Sequence, residues 1–509
     1  MSVSDSFEPP VSPALRRRRL HNRVVLAVVG VLLITAAGFG VRTLLTSCGG
    51  PGSGVRVVDD QCVGVTDGSY VFNEAYRAVQ KKIAAENARV DDIVNDPQNN
   101  RGRAVTVALL NPMTVNELSA FSVDEVRNLL EGAYTAQYRA NQSRDFGDRD
   151  PLIRLVLANE GSNQRQWRPV VDQLVDMKDA EAPLNAVVGL GVSIDLTEQA
   201  AKKLAEHEIS MVGAIVTADR LNYENILGFV RVSPSNRDYV AALREYLQRR
   251  PELDSAILVY DDNAGSRGDI FVDSLRDDIT SEMQDLIEFD PQSFVGKSIP
   301  SDTNPSLFNN TIANICAEKP KVVFFAGRKV DLRDFLGSLG SRVCRNDQVT
   351  VVTVDADPNV FGRDEQALRD EKITVIYADA TNPRGWVAGV PETPPNFPEF
   401  KRWFEDLGFP LEHLDDGGAI SHHDAVLTAA KAIRLAALPS SSDPPGAADV
   451  RSQLLNLNTT STVPGASGTL RFSDRDEKSG DPVGKPIPVL EFPSSGTSPG
   501  ASGDVYVTE

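Results

Sequence analysis

The stretch Asn185-Ala186-Val187-Val188-Gly189-Leu190-Gly191-Val192-Ser193, continued by the apolar run Ile209 to Ile215 and the loop Ala214-Ile215-Val216-Thr217, decides the fold. Each apolar run has the length of a buried strand and ends in small residues just ahead of a helical pattern. That layout belongs to a parallel α/β sheet. At the carboxyl ends of such strands, backbone N–H groups and helix N-termini converge on a crevice that suits carboxylates and other anionic groups.

Working outward, strand and helix alternate from Ala104 to Gly213. Ala104 to Leu110 reads as a strand. Val126, Leu129, Leu130, Ala133 and Tyr134 then share one helical face, with Ser122 and Glu125 spaced as a capping box at its start. Ile153 to Ala158, a helix from about Gln166, Ala186 to Val188, a helix opened by Asp195 and Glu198, and Ile209 to Gly213 complete one sheet. A second series follows Phe229-Val230-Arg231-Val232, where Ser235 caps a helix carrying Tyr239, Leu243, Tyr246 and Leu247. Its strands are expected at Ala256 to Tyr260, Leu286 to Phe289, Val322 to Ala326, Val349 to Val354 and Thr374 to Tyr377. Two such series exceed one compact sheet, so the chain reads as two doubly wound α/β lobes facing each other across a cleft. Beyond them come a helix from about Asp424 to Ala437, a break at Pro439 to Gly446, a further helix, a hairpin punctuated by Gly465, Gly468 and Phe472, and a strand from Ile487 to Phe492.

Charge and location bound the chemistry. The net charge of −19 over 509 residues opposes nucleic-acid binding, which needs clustered Lys and Arg against phosphates. The N-terminus differs: Arg16 to Arg19 and Arg23 precede an uncharged run of 18 residues, Val24 to Val41, followed by Arg42. Such a run reaches the lower limit of about 17 to 25 residues for a bilayer-spanning helix, and the Arg cluster keeps its own side cytoplasmic. The expectation is a single-pass membrane protein whose C-terminal part is extracytoplasmic. A cleaved signal peptide is the alternative, though its apolar region usually spans about 7 to 15 residues. Leu45-Thr46-Ser47-Cys48 offers a third, a lipid anchor on Cys48.

Four cysteines in an exported chain suit disulfides, with three pairings open. Cys48 with Cys62 closes a short loop, and Cys316 and Cys344 lie near one end of the sheet if the strands that follow them are neighbours. Buried free thiols are the alternative for that second pair.

Catalytic and cofactor motifs do not assemble. His422-His423-Asp424 lacks a partner set with metal spacing and reads as a helix start, and the chain has only five His. Gly189-Leu190-Gly191 lacks the third Gly of a dinucleotide fingerprint, and Gly296-Lys297-Ser298 lacks the first Gly of a phosphate loop. Gly496-Thr497-Ser498-Pro499-Gly500 falls in a Ser/Gly/Pro-rich tail where no nucleophile elbow forms. The expectation is a non-enzyme without cofactor or metal.

Four motifs in order, Val188-Gly189-Leu190-Gly191-Val192-Ser193, Phe229-Val230-Arg231-Val232-Ser233-Pro234-Ser235-Asn236, His423-Asp424-Ala425-Val426 and Gly465-Ala466-Ser467-Gly468-Thr469-Leu470-Arg471-Phe472, resemble the type I periplasmic solute-binding proteins. The likeness is to the branched-chain amino acid (leucine/isoleucine/valine) group of ABC transporters over about Ala104 to Phe492. With the Cys pair ahead of Gly64-Val65-Thr66-Asp67-Gly68-Ser69-Tyr70, it looks like the membrane-anchored actinobacterial form.

The resemblance implies a hinge of three chain crossings closing over a small polar solute, such as an amino acid, and an ABC permease as partner. It places ligand contacts at Val192, Ser193, Ile215, Val216 and Thr217 in the first lobe. In the second lobe it places them at Tyr260, Asp261, Asp262, Gly327, Arg328 and Asp355, where an acidic residue would meet a ligand ammonium. Plainer roles stand beside these: a helix cap for Ser193, a turn for Thr217, a solvated strand end for Asp261-Asp262 and Asp355, and a surface ion pair for Arg328. The sequence departs from the family at Asn111-Pro112-Met113 and at Asp261-Asp262-Asn263-Ala264-Gly265, so leucine specificity does not carry over. A tethered sensor or protein-interaction module with the same fold is the rival function.

The expected organisation is a basic tail (1–23), an anchor (24–45), an extracytoplasmic linker (46–103), a first lobe (104–235 plus 380–440), a second lobe (236–379 plus 441–492) and a disordered tail (493–509).

Overall fold

The computed structural model describes residues 48–49, 53–96, 103–116, 119–144, 148–262, 264–296, 307–356, 359, 361, 364–438, 443–458, 460–494 and 505–508. The basic tail and the expected anchor at 24–45 lie outside the described residues. Among the described residues, no helix is long and apolar enough to cross a membrane.

Two seven-stranded sheets organise the chain. The first contains β1 (Val55–Val58), β2 (Gln61–Thr66), β3 (Ala104–Asn111), β4 (Leu152–Asn159), β5 (Leu184–Gly189), β6 (Ser210–Gly213) and β7 (Phe229–Arg231), in the order β1-β2-β4-β3-β5-β6-β7. The second contains β8 (Ala256–Asp261), β9 (Gln292–Phe294), β10 (Val322–Ala326), β11 (Val349–Val354) and β12 (Ile373–Ala378) in the order β9-β8-β10-β11-β12. β15 (Pro486–Phe492) and β16 (Val505–Val507) are added antiparallel beyond β12, while β13 (Val463–Gly465) and β14 (Gly468–Leu470) form a separate hairpin.

Taken by themselves, the parallel strands of both sheets follow one order, second-first-third-fourth-fifth. In each lobe the order reverses beside the first strand, between β3 and β5 and again between β8 and β10. Ligand crevices open at such switch points because the connections on either side leave toward opposite faces. Apolar continuity follows from the same architecture. Every residue of β3 is buried, Val105, Val107 and Leu109 facing one cluster and Ala108 and Leu110 the other. In the second lobe Val322, Phe324 and Ala326 alternate with Val323 and Phe325 in the same manner.

Helices α1 (Arg77–Val94), α2 (Val123–Gln142) and α6 (Gly418–Ala436) pack on the first lobe, and α3 (Asn236–Gln248), α4 (Ile270–Glu282) and α5 (Lys329–Gly340) on the second. Reciprocal capping boxes start α2 (Ser122 with Glu125) and α3 (Ser235 with Asp238). The chain crosses between lobes three times, after β7, after β12 and between β14 and β15. A buried bidentate ion pair, Arg231 to Asp481 at 2.7 and 3.0 Å, ties the first crossing to the third.

Several expectations change. The linker at 46–103 is part of the first lobe: β1 and β2 extend its sheet, and Tyr76, Val79 and Ile83 enter its core. The segment expected to begin the second lobe's C-terminal share packs on the first lobe instead, because Val450, Leu454, Leu457, Val463, Leu470 and Phe472 bury against Ala425, Ala429 and Ile433 of α6. Only from β15 does the chain rejoin the second sheet. The strand expected at Leu286 to Phe289 reduces to a single bridge from Ile287 to Ala256, and β9 takes the edge position. Part of the tail is ordered, since β16 pairs with β15 and buries Tyr506. His422 and His423 sit inside α6 rather than at its start. His423 Nδ1 hydrogen-bonds Asp424, whose carboxylate accepts the Ala466 and Ser467 amides and so fastens the β13-β14 hairpin. Both disulfides form as Cys48–Cys62 and Cys316–Cys344.

Candidate functional site

The loops at the two switch points meet at the lobe boundary. In the first lobe the Gly189–Ser193 turn is clamped from behind. Asn111 Oδ1 accepts the Gly191 amide at 2.7 Å, and Gln164 Oε1 accepts the Val192 amide at 3.1 Å while its Nε2 donates to Thr197 Oγ1 at 2.8 Å. Leu190 and Gln164 both adopt left-handed backbone, with φ of 66° and 56°. Conformations of that kind persist only where surrounding contacts impose them, and they gather at functional sites.

Ser193 is the hub. Its hydroxyl accepts the amides of Thr217 at 2.9 Å and Ala218 at 3.2 Å, locking the loop after β5 to the loop after β6. It therefore does not cap its own helix, and Thr217 serves more than a turn. The Ser193 carbonyl accepts from the other lobe, from Arg328 Nη2 at 2.9 Å and from the Phe271 amide at 3.2 Å. Close by, the Asp195 amide donates to the Gly268 carbonyl at 2.8 Å.

Arg328 is more than a surface ion pair. Its guanidinium makes a two-point contact to Asp269 at 2.7 and 2.9 Å and stacks on Phe271, with Asp269 itself 1% exposed. One residue on, Lys329 pairs with Glu125 of α2 across the boundary. Burial works against the Glu125 charge, but Lys329 more than offsets it and holds the carboxyl below its ordinary value. Asp416, just ahead of α6 and bonded to Asn128, is pushed up to about 7 by burial and by Glu125.

Asp355, at the end of β11, completes the cluster. Its backbone is left-handed (φ 49°) and its side chain is open to solvent. Lost hydration nonetheless raises its carboxyl above the usual range, opposed by Lys329 and Arg328 and reinforced by Glu125. The charged groups that act on it, Lys329, Arg328 and Glu125, are those of the lobe boundary.

The structure thus brings together Val192, Ser193, Thr217, Arg328 and Asp355. Others lie apart. Val216 is core, Ile215 packs on the first lobe's cluster, and Tyr260 lies against its own lobe's core with Arg276 over its ring. Gly327 is set by packing, since a Cβ there would lie 2.8 Å from the rings of Phe294 and Phe325. Asp261 is buried and accepts the Gly296 amide at 3.0 Å, whereas Asp262 is exposed. Glu125, Lys329, Asp269 and Gly268 were not singled out from sequence for the site. Glu125 carried only its capping signal, which it also fulfils by accepting the Ser122 amide at 2.7 Å.

No family model matches the chain, and no curated protein matches it. Solved structures do. A leucine-binding protein, LivK, from Thermotoga maritima aligns at a TM-score of 0.55 and 14% identity, covering 80% of this chain and 99% of that one. An ABC-transporter substrate-binding protein from Desulfitobacterium hafniense in complex with Leu aligns at 0.54 and 17% identity, covering 77% and 98%. A solute-binding protein from Rhodopseudomonas palustris in complex with 3,4-dihydroxybenzoic acid aligns at 0.53 and 12% identity, covering 80% and 98%. With its two switch-point sheets and three crossings, the chain has the fold of the type I periplasmic binding proteins.

Proposed function

We propose that the chain is an extracytoplasmic receptor that captures a small polar solute between its lobes, with an amino acid or related ammonium-bearing compound as the preferred class. The observation that carries this reading is Asp355, an accessible carboxylate held in strained backbone at the second lobe's strand ends, opposite the Ser193 loop. Left-handed backbone at a non-glycine residue costs about 1–2 kcal/mol, a cost retained where function needs the side chain there. The structural neighbours support a solute-binding role. Tethering by residues 24–45 and delivery to an ABC permease complete the proposal. A thermal-shift screen of the purified chain against amino acids, amides, aromatic acids and sugars tests it. A solute at about 100 times its Kd stabilises the folded state by about 2.7 kcal/mol. Silence of the whole panel on folded protein rejects the receptor reading.

One observation favours a second reading, a tethered sensor or interaction module. The Ser193 hydroxyl, expected to face a solute, is already paired within the protein, as is its carbonyl. Retrieval of a membrane partner by the panel-silent protein would support it.

A further inference from the structure

The C-terminal strand β16 lies along the end of the third crossing. In sequence it alternates Val505-Tyr506-Val507-Thr508, whereas the connection before it, 495–504, carries no apolar side chain larger than Ala501. The alternation is used: Tyr506 and Thr508 are buried and Val507 is exposed.

The surface beneath it is shaped for a strand. The Asp379 amide donates to the Pro488 carbonyl at 3.1 Å, which turns the backbone edge of Pro488, and by alternation that of Pro486, toward β12. Both missing N–H groups therefore fall on the side away from β16, and the edge offered to it belongs to Lys485 and Ile487. Tyr506, opposite Ile487, joins the core cluster of Leu243, Leu247 and Val489, with the Arg249 guanidinium 5.3 Å from its ring centroid. Thr508 closes the far end. Its amide donates to the Lys485 carbonyl at 3.0 Å, its carbonyl accepts the Gly484 amide at 2.8 Å, and its hydroxyl accepts the Lys485 amide at 3.0 Å.

Lys485 carries this contact into the other lobe. Its buried ammonium donates to Ser467 Oγ in the turn of the β13-β14 hairpin, and Ser467 Oγ donates to Asp424 of α6. Thr508 thus fixes the backbone of the residue whose side chain fastens the crossing to the first lobe.

We propose that the β15 edge, with Arg249 and Lys485, is a peptide-acceptor site, that it takes an extended segment bearing an aromatic residue and, two positions on, a threonine, and that Val505–Thr508 is its captive ligand. Strand addition of this kind draws affinity from main-chain bonds and specificity from the sites of alternate side chains. Occupancy sets Lys485 and, through it, the third crossing. The site does not depend on the solute proposed above.

The test uses the full chain with a protease recognition sequence inserted between Gly500 and Ala501. In the uncut chain the tether holds the segment at an effective concentration on the order of millimolar, so a dye-labelled peptide with the sequence of residues 504–509 is expected not to bind at micromolar concentration. After cleavage, an excess of that peptide is expected to replace the released piece and bind saturably by fluorescence anisotropy. Peptides carrying Tyr506→Ala or Thr508→Val are expected to bind at least about tenfold more weakly. In the uncut chain, Thr508→Val is expected to quicken hydrogen exchange at the Lys485 amide and at the Ser467 amide, which Asp424 accepts at 2.9 Å. Absence of saturable binding to the cleaved chain overturns the site, as does equal binding of the Tyr506→Ala peptide. Unchanged exchange at Ser467 overturns the link to the crossing.

Discussion

The carbonyl oxygen of Ser193 accepts a hydrogen bond from Arg328 Nη2 at 2.9 Å, joining the loop after β5 in one lobe to the loop after β10 in the other. Because that guanidinium is also held by the nearly buried Asp269, a bond within one lobe orients a bond between lobes. Sequence separation hides the arrangement, since Ser193 and Arg328 lie 135 residues apart.

Removing the guanidinium leaves Asp269 buried without its partner. Breaking a buried pair from one side costs about 3–5 kcal/mol, whereas removing both charges costs much less. Arg328→Leu is therefore expected to lose about 3 kcal/mol in urea denaturation, and Arg328→Leu/Asp269→Asn to regain a large part of it. Additive losses would place the cost elsewhere than in the ion pair.

Gly268 sits where the two lobes approach closely, its carbonyl accepting the Asp195 amide at 2.8 Å. Its φ is +73°, and a Cβ would stand 2.7 Å from the Asp195 carboxylate. Gly389 has a similar φ of +79° with nothing within 4 Å, so its alanine variant reports backbone strain alone, about 1 kcal/mol. Gly268→Ala is expected to cost more and to raise hydrogen exchange at the Asp195 and Phe271 amides. Equal effects of the two variants would rule out a lobe-specific contact.

Asp355 trades stability for its place in the cleft. Asp355→Gly relieves the left-handed backbone and is expected to stabilise the fold by up to about 1 kcal/mol. The same variant should weaken binding of whichever ammonium solute the thermal-shift screen returns by at least about tenfold, measured by calorimetry. A stabilised variant with unchanged affinity would remove Asp355 from the site.

Glu160, fully enclosed after β4, is raised to about 8 by burial. It enters folding as the neutral acid, so its contribution is whole below about 4 and declines as pH rises toward 8, at up to about 1.4 kcal/mol per pH unit. Glu160→Gln should flatten this slope in melting curves taken from about pH 5 to about pH 9. Parallel slopes for the two proteins would show that Glu160 is ionised in the fold.

Sequence alone determined the features written in short-range pattern. Strands β3, β5, β8, β10 and β11 show as apolar runs, and the helices opened by Ser122 and Ser235 show by their capping spacing, because both depend on residues a few positions apart. The pair Cys48–Cys62 was open to inference from the short loop it closes, and Cys316–Cys344 from the strands that follow each cysteine. Tertiary structure decided what periodicity does not encode, namely which surface meets an apolar face. It alone assigned 447–472 to the first lobe and replaced 286–289 with β9 at the sheet edge. It also decided which polar groups at the lobe boundary are already spent. The Ser193 hydroxyl was expected to face a solute, yet it is satisfied by two amides from another loop, and Lys329 finds Glu125 at a separation of 204 residues. Hydrogen bonds and ion pairs act over a few ångströms in space, so their partners exist only after the chain has brought distant segments together.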